Sequence, residues 1–333
     1  MQNAITDIAS LRVGHAHDHA ALTGCTVILA DNGAVAGVDQ RGGAPGTRET
    51  DLLHPLNLVE KVNAILLTGG SAFGLDAAAG VMQYLEEHGH GYETAHGRIP
   101  IIPAAVIYDL GIGDSRVRPD ARMGYAACQT ASSQPPAQGN AGAGTGATVG
   151  KILGRGQAMK AGIGTASVEI GSGIRVGALI VVNAFGDVID PLTGSILAGV
   201  RGDADPSGGT PPSIFADSQK ILASLAGTEF PLASPGENTV IGVIATNATL
   251  TKGQAAKIAG MAHNGIARTI RPAHTMFDGD TLFTLATGER TNPATPLDVS
   301  AIGAAAADIV ASAILNAIRF AGRAGDLPAS RDL

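Results

Sequence analysis

The sequence predicts a layered α/β sandwich in which helices cover mixed sheets. Six short apolar runs, rich in β-branched residues, read as buried strands: 24–30, 62–68, 99–107, 175–184, 239–246 and 281–287. Three segments, 71–88, 251–269 and 297–321, read as helices. Strands dominate the middle, while the last third runs strand–helix–strand–helix. That order is not the strict alternation of a doubly wound parallel sheet.

Each strand run is bounded by Gly, Asn, Asp or Pro, which supply turns. The helix at 71–88 opens after a Gly-Gly turn and stops at Gly89, a natural C′ residue. The segment 297–321 places Ala and Ile at helical spacing. Stretches 131–147 and 202–212, rich in Gly, Pro and small polar residues, read as exposed connections. A third break, 231–238, ends abruptly against the strand at 239.

Composition narrows the class. The 333 residues fit one large domain or two smaller ones. Glycine, at 46 residues, is about twice its usual ~7% share. Aromatics make up 3% with no Trp, so the core must be Ala, Val, Ile and Leu, closely packed. A net charge of −7 argues against a nucleic-acid partner, which needs a basic face. Charged residues at 15% and a mean hydropathy of +0.20 exclude a disordered chain. Cys25 and Cys128 sit in apolar surroundings and read as reduced core residues. The stretch MQNAITDIASLRVG lacks the n- and h-regions of a secretory signal. The apolar run 301–321 is interrupted by Asp308, Asn316 and Arg319, so no membrane span is expected. These features lead us to expect a cytoplasmic protein.

Several motifs compete for the chemistry. His15, His17 and His19 form an HxHxH pattern that could hold a divalent metal, or simply a polar turn. The segment 142–147 fits GxGxxA by letters, but it follows no strand. Gly150-Lys151 resembles part of a phosphate loop, yet Thr145 stands where Gly is needed and Ile152 where Ser or Thr is needed. Ser71 sits at a strand-to-helix turn like a nucleophile elbow, but Phe73 occupies a required Gly position.

Asn238-Thr239 reads either as a turn entering a strand or as a self-cleavage site. A Thr hydroxyl is a weak nucleophile and needs a base. Cutting before Thr239 would create that base, an α-amine with an ordinary pKa near ~8. Asp278-Gly279-Asp280, just before the strand at 281, reads either as a polar hairpin turn or as two carboxylates on one face by alternation, with Gly279 letting something approach. Lys160 stands in an apolar, Gly-rich stretch, either snorkelling or partly buried beside a site. Asn183 interrupts an apolar strand, where its amide must find partners or serve an oxyanion.

The segments LTGCTVILA (22–30), RGGAPGTRETDLL (41–53), LLTGGSAFGLDAA (66–78), GAGTGATVGK (142–151), VVNAFGD (181–187), NTVIGVIATNATLTK (238–252) and MFDGDTLF (276–283) share one resemblance. The chain resembles the self-processing L-aminopeptidase D-amidase/D-esterase family, which includes β-aminopeptidases and 6-aminohexanoate-oligomer endohydrolases. It looks most like the nylon-oligomer branch. The resemblance implies a four-layer αββα sandwich of the N-terminal-nucleophile type, with 1–333 as a single catalytic domain. It implies self-cleavage into 1–238 (α subunit) and 239–333 (β subunit), and further assembly, commonly as a tetramer. Thr239 becomes the nucleophile, with the cut after Asn238. Lys160 matches the lysine near it, Asn183 the oxyanion-side asparagine, and Asp278 and Asp280 the orienting pair. Tyr125 matches a tyrosine near the site. No metal or cofactor is required, and the expected substrate is a small peptide or oligoamide. Exo- and endo-cleavage both stay open. The competing expectations are a metal hydrolase built on the histidine cluster and a non-catalytic oligomeric binding protein.

Overall fold

The computed structural model describes residues 1–202, 214–228 and 237–333. The expected loop at 202–212 and the break at 231–238 therefore lie almost wholly outside the described residues. Eight strands set up the site: β1 (Leu11–Asp18), β2 (Thr23–Gln40), β3 (Lys61–Thr68), β4 (Ala104–Val106), β5 (Ile163–Ile170), β6 (Ile174–Asn183), β7 (Thr239–Thr246) and β8 (Thr281–Ala286). The helices are α1 (Ala77–Glu87), α2 (Ala121–Gln129), α3 (Ser218–Leu225), α4 (Lys252–Thr269) and α5 (Pro296–Arg319).

The strands form one mixed sheet in the order β5-β6-β7-β8-β2-β3-β4, closed at one edge by the short strand Thr47–Arg48, with β1 also paired to β2. The long strand β2 makes this sheet two layers. Its first half pairs with β1 and β3, its second half with β8 and, at Ala34 and Val35, again with β3, and the register slips between Leu29 and Ala34. Gly33, at φ +66°, lies in that slip, where a left-handed residue lets the strand turn.

Strand alternation then builds the three largest apolar cores. In β7, Val240 and Ile244 face the α4–α5 side, while Ile241, Val243 and Ala245 face the interior between the sheet layers. In β3, Ile65 and Leu67 face that same interior, while Ala64 and Leu66 meet α1 and α2. Strands covered on both faces read as continuous apolar runs, which is why these were visible in the sequence. The result is the four-layer αββα sandwich.

The helix α5 is long and apolar enough to span a membrane by length and composition, with 61% of its apolar window buried. Here it is a core helix, packed on α4, β5 and β6. Its N-terminus carries a reciprocal capping box between Thr295 and Asp298.

Three expectations are corrected. The run 99–107 is not one strand, because Pro100 and Pro103 lack the N–H a ladder needs; it divides into Gly97–Ile99 and β4. The segment 71–88 begins as a 3₁₀ turn over Ser71–Asp76 before α1. The stretch 131–147 is not an exposed connection throughout, since residues 141–150 are all buried. Its small residues let backbone lie against β2 and β5: a Cβ on Gly144 would stand 2.4 Å from the Ile163 nitrogen. Cys25 and Cys128 are buried free thiols.

Candidate active site

The site lies where β7 begins, in the middle of the sheet. Asn183 closes β6 directly opposite Thr239 in the antiparallel register. On the other side, Asn238 forms a parallel bridge with Asp278, just ahead of the β7–β8 pairing. Asn238 and Thr239 are each 3% exposed.

Two donors converge on one carbonyl. The Thr239 hydroxyl donates to the carbonyl oxygen of Asn238, and the Gly279 N–H donates to the same oxygen at 2.9 Å. Gly279 has no room for a side chain. A Cβ there would stand 2.9 Å from Thr239 Oγ1 and 2.5 Å from the Ala44 carbonyl oxygen. The approach allowed by that glycine, expected from the Asp-Gly-Asp pattern, is the one seen.

The carbonyl one residue upstream is held as well. Glu237 O accepts from Lys151 Nζ at 3.0 Å and from Asn183 Nδ2 at 3.2 Å. The Asn183 side-chain oxygen accepts from Lys151 Nζ at 2.9 Å and from the Thr148 N–H at 3.1 Å. These donors fix the amide orientation and aim its NH₂ at the chain. A cavity of about 80 Å³ adjoins this point, lined by Tyr108, Asp109, Thr148, Lys151, Arg155 and Glu237 among others.

The two aspartates divide the remaining contacts. Asp278 accepts from Thr275 Oγ1 at 2.6 Å, from the Thr275 N–H at 3.0 Å and from the Phe185 N–H at 3.2 Å. Asp280 accepts from the Val240 N–H at 2.7 Å, immediately after Thr239, and from His274 Nδ1 at 2.7 Å. Burial, reinforced by the neighbouring Asp280 charge, pushes the Asp278 carboxyl up to about 6. Burial pushes the Lys151 amine down to about 7, with Asp278, Glu237 and Asp109 acting in the opposite sense.

Thus Thr239, Asn238, Asn183, Asp278 and Asp280 come together as expected. The other two predicted residues, Lys160 and Tyr125, make different contacts. Lys160 is fully buried, but its ammonium donates to the carbonyls of Gly144, Ala147 and Ala161, bracing the glycine-rich segment. The lysine on the Asn183–Glu237 side is Lys151. Tyr125 lies on α2, where its hydroxyl donates to Glu87 of α1 at 2.6 Å and its ring meets Tyr84. The tyrosine that lines the cavity is Tyr108, whose carbonyl accepts from Asn183 Nδ2 at 3.1 Å. Sequence reasoning also missed the Gly279 N–H, because a backbone donor leaves no trace in residue type.

The histidine cluster lies along β1. His15 Nδ1 pairs with Thr26 Oγ1 at 2.9 Å, and His17 Nδ1 accepts the Gly142 N–H at 3.2 Å. Burial pushes His15 down to about 4. Among the described residues, no three His, Cys, Asp or Glu side chains are grouped to hold a metal ion.

Comparison with known proteins places the chain in a family. The profile of peptidase family S58 matches residues 3–326. An uncharacterized aminopeptidase of Mycobacterium tuberculosis is 45% identical over 99% of this chain and 98% of its own. A 6-aminohexanoate-oligomer endohydrolase of a Kocuria species is 34% identical over 94% of this chain and 85% of its own. Among solved structures, an L-aminopeptidase D-Ala-esterase/amidase from Ochrobactrum anthropi superposes with a TM-score of 0.71 at 21% identity, covering 98% of this chain and 88% of that one. That structure is described as a variant of the N-terminal-nucleophile hydrolase fold.

Fold and relatives together define the class: this is a hydrolase of peptide or linear amide bonds. The chain belongs to peptidase family S58.

Proposed function

We propose that the chain activates itself by cutting the Asn238–Thr239 bond, and that the freed Thr239 is the nucleophile of an amide hydrolase. The observation that carries this reading is the Asn238 carbonyl, flanked by the Thr239 hydroxyl and the Gly279 N–H at 2.9 Å. Thr239 Oγ1 adds to the Asn238 carbonyl carbon, closing a five-membered ring, while Gly279 N–H holds the developing oxyanion. The C–N bond then breaks as the Thr239 nitrogen takes the hydroxyl proton. Water hydrolyses the resulting ester, releasing the Asn238 carboxylate and a threonine with a free α-amine.

In the processed enzyme that amine takes the Oγ1 proton as the hydroxyl attacks a substrate amide. Gly279 N–H again faces the oxyanion. Asp280 fixes the start of β7 through the Val240 N–H. The Lys151–Asn183 pair holds the acyl side of the substrate.

The last contact bears on substrate choice. In the intact chain the Lys151–Asn183 pair grips the carbonyl of Glu237, one residue before the scissile one. A substrate with an amide carbonyl at that point meets two donors, one of them a lysine amine. A free substrate ammonium placed there would meet a lysine instead. The site therefore favours peptides and oligoamides extended on the acyl side.

Intact mass after expression tests the reading. Fragments 1–238 and 239–333 are expected from the wild type, and a single uncut chain from Thr239→Ala. An active wild type that stays uncut overturns it. With processed enzyme, a peptide amide acetylated at its amino terminus should be cleaved at least as fast as its free-amine counterpart. Cleavage of the free amine alone would overturn the assignment of the acyl side.

A further inference from the structure

We propose that His274 is a positioning residue of this active site, acting through Asp280 to hold the Thr239 nucleophile in place; this rests on the reading of Thr239 above. His274 lies outside the group of residues singled out from the sequence.

The geometry is specific. Asp280 is 1% exposed. One of its oxygens, Oδ1, accepts the Val240 N–H at 2.7 Å, which pins the residue next to the nucleophile. The other, Oδ2, is gripped twice by His274, by the ring at 2.7 Å and by its own backbone N–H at 3.2 Å. His274 makes this double grip at φ +57°, a left-handed conformation uncommon outside glycine. A strained backbone that aims a side chain at a buried carboxylate beside the reacting residue points to function.

The tautomer follows from the partners. An ionised carboxylate accepts only, so Nδ1 must carry the proton. With the proton on Nε2, two acceptors would face each other at 2.7 Å. Nε2 is buried with no hydrogen-bond partner. The ring stands edge-on to His263, with centroids 4.9 Å apart. His263 Nε2 is itself engaged by the Asp39 carbonyl at 3.0 Å, and Arg41 Nε holds the Asp39 carboxylate at 2.7 Å. His274, with its Nδ1 donor fixed on Asp280, is thus boxed in from α4 and β2. This arrangement orients a carboxylate in the way a buried partner orients a catalytic imidazole, with the roles exchanged.

Substitutions that separate Nδ1 from Nε2 test the role. Asn places an amide N–H near the Nδ1 position, whereas the longer Gln presents its amide nearer the Nε2 position. In the full chain, His274→Asn should cut itself and turn over a peptide amide within about three-fold of wild type. His274→Gln and His274→Ala should lose roughly 100-fold in kcat, with KM little changed and melting temperatures close to that of the Asn variant. Wild-type rates in the Gln and Ala variants would overturn the proposal. So would an Asn variant as slow as Ala at equal stability. If the variants fail to fold, nitrogen-edited NMR of the wild-type imidazoles decides. A downfield proton bound to Nδ1 of His274 supports the assignment, and a ring protonated on Nε2 alone overturns it. A wild type that is active yet uncut sinks the Thr239 reading instead, so the two failures are distinguishable.

Discussion

Asp278 and Asp280 stand two residues apart and are both buried, yet their surroundings differ. Asp280 has a histidine ring and a strand N–H; Asp278 has a threonine hydroxyl, two N–H groups and the charge of its neighbour. Burial and that charge raise the Asp278 carboxyl from an ordinary 3.8 to about 6. The folded state therefore binds this proton more tightly than the unfolded chain. The stabilisation is fully present below pH 4 and is lost as pH rises through about 6. Relative to Asp278→Asn, which cannot titrate, the wild type should lose at most about 3 kcal/mol of stability between pH 4 and pH 8. Parallel denaturant titrations of both proteins measure the difference. A gap that stays constant across that range would show that the carboxyl is not perturbed. If turnover needs Asp278 ionised, the acid limb of kcat/KM should fall near pH 6 in the wild type.

At the scale of elements, the low aromatic content becomes a packing rule. Helices α4 and α5 approach so closely that a Cβ on Gly265 would stand 2.3 Å from the Ala307 carbonyl oxygen and 2.8 Å from Val310 Cβ. Helix propensity favours Gly→Ala by about 1 kcal/mol. Overpacking against backbone opposes it by about 1–3 kcal/mol, and a carbonyl cannot rotate away. Gly265→Ala should therefore lower the melting temperature, whereas Gly253→Ala on the same helix should not. At Gly253 the nearest atom to a new Cβ is Pro55 Cγ at 3.9 Å. Thermal melts of the two variants check the contrast; equal effects would defeat the packing argument.

The same scale explains what was legible in the sequence. Strands buried on both faces, such as β6 and β7, announce themselves as apolar runs. The strand β1 does not, because its residues 15–18 alternate His, Ala, His and Asp and are largely half-exposed. The pairing of Thr239 with Asp278–Asp280 was legible through the family resemblance. The choice between Lys151 and Lys160 was not. Both stand in apolar, glycine-rich segments and both are buried, each on backbone carbonyls. Only the fold of the chain through 142–160 decides which ammonium reaches Glu237. Tyr108 was hidden for the same reason, at the end of a run read as one strand.

For the whole molecule, the decisive feature is where the proposed cut falls. β7 would be the first element of fragment 239–333, yet it sits between β6 from fragment 1–238 and β8 from its own fragment. Eight residues of β7 pair with eight of β6 across the cut. The α4–α5 core likewise mixes side chains from both sides, Ala178, Ile180 and Val182 with Ile258, Ile302 and Ile314. Neither fragment could keep its apolar face out of water alone, and burial of such a face outweighs one lost peptide link. The cut chain should therefore remain a single cooperative body. Under native conditions fragments 1–238 and 239–333 should co-elute in size-exclusion chromatography and melt in one transition. In denaturant they should separate, and purified 239–333 should aggregate or stay unfolded. Fragments that part without denaturant, or that melt in two independent steps, would show that the sheet is not shared in this way.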